Sequence, residues 1–189
     1  MRNKKIIILP FFDFKIFFKF VFLVLGFFAF NQFFIGLLSP EGKIYSEFAA
    51  NHLNYINLIS TGVLRLADWI NEIIGNPTQF TSPLILSLAT GDNVVMGFSC
   101  MGLQVMACWI SFMVLLPAPF ISRVIGTILG LSIIIILNAS RISLLLFSIS
   151  HQWKQWTIID HHDLFNLVAY TIIIVAIFLY IKIFKIRIS

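Results

Sequence analysis

The sequence predicts an all-α protein, a polytopic integral membrane bundle with about four firm transmembrane helices and one amphipathic or embedded helix near 44–74. Three observations lead there. Of 189 residues, 59% are hydrophobic and 11% charged, with a mean hydropathy of +0.97; soluble domains carry roughly 25% charged residues. Apolar runs long enough for a ~30 Å hydrocarbon layer recur along the chain. The basic residues sort by expected membrane side. The length fits one domain, 1–189, without repeats or a Gly/Ser linker.

Taken in order, Met1-Arg-Asn-Lys-Lys5 is basic, Lys15 and Lys19 follow, and a largely apolar run extends over Ile16–Leu38. That run is longer than a signal-peptide core and shows no small-residue cleavage site, so it is expected to be an uncleaved anchor over 16–38. Ser39-Pro40-Glu41-Gly42 ends it. In residues 44–75, Ile56, Ile59, Val63, Leu66 and Ile70 recur at helical spacing, interrupted by Asn54, Asn57, Arg65, Asp68 and Glu72. Charges within a span cost a few kcal/mol each. The pattern therefore fits a helix lying in the outer interface, with a polar-faced span inside the bundle as the alternative. Gly75-Asn76-Pro77 stops this helix. Thr81–Phe98 holds Pro83, Gly91, Asp92 and Asn93 and is too broken to cross; alternation around Asn93–Gly97 predicts a short extended segment.

The next span is expected at about 101–117, closed by Pro117 and Pro119, and a long helix follows from about Val124 to Ser148. A polar loop, His151–Asp163, carries Trp153 and Trp156, which suit an interface. A last span is expected at about 164–181. Nine of the 13 basic residues (Arg2, Lys4, Lys5, Lys15, Lys19, Arg123, Lys182, Lys185 and Arg187) then fall on the cytoplasmic side, against Lys43, Arg65 and Lys154 outside and Arg141 within a span. That bias sets orientation, with both termini cytoplasmic. The net charge of +5 thus reflects membrane sidedness, and nucleic acid is not an expected partner; membrane lipid is.

Three polar features fall on the outer side. Cys100 stands where a mixed segment gives way to an apolar helix, in that helix's expected first turn. A helix N-terminus carries partial positive charge and free N–H groups that stabilise a thiolate; alternatively the cysteine is a small apolar filler. Cys108, ~12 Å along the same helix, is too distant for a disulfide and is read as packing. Asn138 and Arg141 share a helix face three residues apart. Intramembrane arginines are functional by default, although Arg141 could instead snorkel outward and Asn138 could bond a neighbouring helix. Asp160-His161-His162-Asp163 opens the last helix, as a base or as a cap. A metal site recruiting His151 is a third option, disfavoured because adjacent histidines diverge and no HExxH spacing is present. No cofactor motif is found. A thiol, a fixed cation and a titratable base on one membrane face meet the general demand of acyl transfer.

Ser-Cys100-Met-Gly-Leu, Asn138-Ala-Ser-Arg141-Ile and His162-Asp-Leu-Phe-Asn-Leu-Val-Ala-Tyr170 resemble, in order and interval, the three blocks of the exosortase/archaeosortase family, over roughly 50–180. The chain looks most like the compact, single-domain F-type exosortases. The resemblance implies a cysteine protease-transpeptidase of the bacterial cytoplasmic membrane acting on its outer face. Its partners would be exported proteins bearing a C-terminal signal of short motif, transmembrane helix and basic tail. It implies Cys100 as nucleophile, Arg141 as electrostatic stabiliser and His162 as base; the neighbouring Asn138, His161 and Asp163 are expected to support them. Met101 and Asn166 depart from the family's usual Ser/Asn and Gly. The competing readings are a non-enzymatic membrane scaffold, in which Arg141 and Asn138 only pack helices, and a metal-dependent intramembrane protease.

Overall fold

The computed structural model describes residues 14–40, 43–151, 167, 171, 172, 174 and 175. The first helix, α1 (Phe14–Leu38), is followed by α2 (Glu47–His52) and α3 (Tyr55–Ile73). Three strands come next, β1 (Thr78–Ser82), β2 (Ile85–Leu88) and β3 (Asn93–Val95), then a 3-10 turn (Phe98–Met101), α4 (Leu103–Leu115) and α5 (Phe120–Ser150).

The protein is mostly helical, as expected, and among the described residues α1 and α5 are long and apolar enough to cross a membrane. One expectation needs correction, and another is met in part. The fold is not all-α, because residues 78–95 form an antiparallel sheet of order β1-β2-β3. Nor are four spans present among the described residues. At 13 residues, α4 is ~20 Å long at 1.5 Å per residue, short of a ~30 Å apolar layer; the expected span at 164–181 lies largely outside the described residues.

The apolar part is organised by the α4–α5 hairpin. Gly126 and Gly130 are buried on α5 one turn apart, a small-xxx-small pattern that lets another helix approach closely. Here it receives the Trp109 indole, whose Nε1–H donates to the Gly126 carbonyl at 3.1 Å. A Cβ on Gly130 would overlap the Trp109 ring. At the hairpin's closed end Arg123 donates to the Val114 carbonyl at 3.2 Å.

Instead of one helix over 44–74, the chain makes two, divided at Leu53-Asn54. The Asn54 side chain accepts from the Asn57 N–H at 2.9 Å and caps α3. Tyr55 anchors this end to α1, its hydroxyl donating to Asn31 Oδ1 at 2.7 Å, and burial raises the phenol above its usual range, so it stays a neutral donor. One face of α3 (Ile56, Ser60, Val63, Leu64, Ala67 and Asn71) is buried. It packs on the later half of α5, where Ser143 Oγ donates across to the Ala67 carbonyl at 3.0 Å. The segment thus packs on α5 through one face, with Leu58, Trp69 and Ile73 exposed on the other.

The charges that interrupt α3 meet the sheet. The Arg65 guanidinium lies 4.7 Å over the Phe80 ring, and Asp68 accepts from the Thr78 hydroxyl. Buried Asn71 donates to the Ala67 carbonyl and accepts from Asn76 Nδ2, so its amide is satisfied at both ends. The strands then turn at Pro83-Leu84 and at Gly91, whose φ of 98° suits a residue without a side chain. Leu86 and Leu88 of β2 point into the core. The extended segment expected around Asn93–Gly97 is β3; the hairpin before it was not anticipated.

Candidate active site

Cys100 lies in the 3-10 turn rather than in the first turn of α4, which begins at Leu103. The helix-terminus field invoked from sequence is therefore not delivered by α4 directly. Gly102 separates turn from helix with φ 72°, a left-handed conformation that costs an L-residue roughly 1–2 kcal/mol. The Cys100 N–H closes the turn on the Gly97 carbonyl at 2.9 Å. Met101 is fully buried, and Cys100 is half-buried against the core.

Asn138 fastens this turn to α5, its Nδ2 donating to the Met101 carbonyl at 3.2 Å. The approach is close: a Cβ on Gly102 would overlap the Asn138 amide and lie 3.4 Å from Ile134 Cγ2. Arg141 follows Ile134 by seven residues, two turns that return to within about 20° of the same direction. The guanidinium-bearing residue thus stands about 10 Å further along α5, on the side where Ile134 meets Gly102. Arg141 is partly buried, and among the described residues it has no hydrogen-bond or ion-pair partner. Cys100, Asn138 and Arg141 therefore share one end of the α4–α5 pair, opposite the Leu116–Pro119 connection.

His161, His162 and Asp163 lie outside the described residues. His151 ends α5, stacked on Phe147 at 4.0 Å between centroids, with Nδ1 3.0 Å from the Phe147 carbonyl. Both cysteines are free thiols. Among the described residues no three His, Cys, Asp or Glu side chains gather as a metal site. Sequence reasoning named Asn138 but missed its partner. The signal was available in Gly97 and Gly102, which bracket the cysteine and mark a turn before the apolar run.

Set beside known proteins, the chain matches no protein family, no curated protein and no solved structure.

Proposed function

We propose that this chain is a membrane-embedded cysteine protease-transpeptidase that processes C-terminal sorting signals of exported proteins on the outer face of the cytoplasmic membrane. The observation that carries the reading is the Asn138–Met101 bond. It ties the Cys100 turn to the helix that bears Arg141, which is partly buried and has no hydrogen-bond or ion-pair partner among the described residues. A partly buried guanidinium is suited to receive developing negative charge, because a lower local dielectric strengthens the interaction. Because α4 is short, Cys100 sits below the far end of α5, at a depth suited to the flank of a substrate's own transmembrane helix.

The chemistry balances without a cofactor. The Cys100 sulfur attacks a peptide carbonyl, its proton passing to the base, for which His162 is the candidate. Arg141 stabilises the oxyanion. The C–N bond breaks, the proton leaves with the amine, and a thioester remains. An acceptor water or amine then attacks the thioester and returns a proton to the thiol.

The test compares C-termini of exported proteins, by mass spectrometry, in cells carrying the native chain or Cys100→Ala. Proteins that end ahead of a C-terminal helix and basic tail are expected to keep that tail in Cys100→Ala cells. Identical C-termini in both would overturn the proposal and favour the scaffold reading, in which Asn138 serves only to pack the turn.

A further inference from the structure

Among the described residues the sheet ends at β3, whose one strand neighbour there is β2. Its register pairs Ile85 with Val95, Leu86 with Val94 and Ser87 with Asn93. Two flanking bonds set the phase: the Met96 N–H donates to the Leu84 carbonyl and the Leu88 N–H to the Asp92 carbonyl, each at 2.7 Å. In an antiparallel ladder bonded and non-bonded pairs alternate, so 86–94 is a bonded pair while 87–93 and 85–95 are not. Asn93 and Val95 consequently turn both N–H and C=O away from β2, toward the free edge. Along that edge Val95 is 64% exposed and Asn93 is exposed, and no strand pairs with it among the described residues.

Exposed edges are ordinarily guarded by proline, lysine or a bulge. Strand β3 has none of these; the sheet's irregularity lies between Phe80 and Ser82 on β1, the opposite edge. Two residues beyond Val95 is Gly97, whose carbonyl receives the Cys100 N–H. An unguarded edge therefore runs directly into the turn that carries the thiol.

Resting on the peptidase reading above, we infer that β3 is the substrate-binding edge: an extended segment of the exported protein adds as a fourth strand through the backbone of Asn93 and Val95, which lays its next peptide bonds toward Cys100. The groups on offer identify the occupant. Donor and acceptor recur on alternate residues, ~7 Å apart along the strand, and the complement with that repeat is an extended polypeptide backbone. Such pairing supplies affinity through the main chain and leaves selectivity to side-chain pockets.

The experiment substitutes proline at the outward N–H groups, positions where proline is tolerated on an edge strand because no ladder bond is lost. Val95→Pro and Asn93→Pro are each expected to lower tail removal from exported proteins, read by C-terminal mass spectrometry, at least ten-fold. Val95→Ile, which restores the N–H, is expected to recover at least five-fold over Val95→Pro. Labelling of Cys100 by a small thiol reagent, with Cys108→Ser, reports that the proline variants keep the turn folded; whichever of the two labels within two-fold of its parent is the informative one. Tail removal at the parental rate in such a variant overturns the edge while Cys100→Ala, run beside it, still upholds the peptidase. Unchanged C-termini in Cys100→Ala cells overturn both. A disulfide-linked dimer formed by Val95→Cys, with Cys100 and Cys108 replaced by serine, would make a second copy the occupant and also overturn the inference.

Discussion

The α4–α5 hairpin and the α3–sheet unit reach the same end of the molecule by different physics. The hairpin is held by shape: a Trp109 ring seated on Gly126 and Gly130, with one indole bond. The α3–sheet unit is held by polar pairing, through Arg65 on Phe80, Asp68 with Thr78 and the Asn71–Asn76 amides. Interhelical contact in an apolar surround gains little from hydrophobic transfer and depends on close packing. Charges on a helix become tolerable when the neighbouring element supplies their partners. Cys100 stands at the junction, at the end of the polar unit and the start of the apolar one.

The comparison breaks most readily on the hairpin side. Gly130→Ala puts a methyl group into the indole, and overpacking a rigid ring is expected to cost about 3 kcal/mol, read as a lower melting temperature of the detergent-solubilised protein. Next comes Gly102→Ala, which combines a left-handed backbone with displacement of the Asn138 amide and is expected to cost about 2 kcal/mol. Unlike Gly130→Ala, it should also change the labelling rate of Cys100, because it moves the turn itself. Trp109→Phe keeps an aromatic ring but loses the indole hydrogen bond to the Gly126 carbonyl, at about 1 kcal/mol. The smallest effect is expected from Arg65→Leu, which loses a cation–π contact of about 0.5–1 kcal/mol. It should show as faster proteolytic nicking within 76–97 rather than as a change in global melting.

The two regions were also unequally legible in the sequence. The long apolar helices were readable because hydropathy alone defines them: 16–38 and 124–148 became Phe14–Leu38 and Phe120–Ser150. The Gly126–Gly130 seat for Trp109 was overlooked, since nothing local joins residues 17 positions apart. In the polar unit, Arg65 and Asp68 read as charges without partners because Phe80 and Thr78, which they meet, belong to strands too short to stand out by period. Turn signals at Ser82-Pro83 and Gly91-Asp92 could have revealed that hairpin. Of the site, Cys100, Asn138 and Arg141 were all named from sequence and lie at one end of the hairpin. The 3-10 geometry of the cysteine was hidden, because Gly102 reads equally as a residue within a helix start.

The central claim is that this shared end is an exposed reaction site whose thiol responds to Arg141. The measurement that tests it most directly is the rate at which a small, positively charged, membrane-impermeant thiosulfonate labels Cys100 in intact cells, with Cys108 replaced by serine, beside the same chain carrying Arg141→Ala. The account predicts labelling from outside, at a rate that changes at least three-fold with Arg141→Ala. Labelling that requires lysis, or a rate indifferent to Arg141, would contradict it.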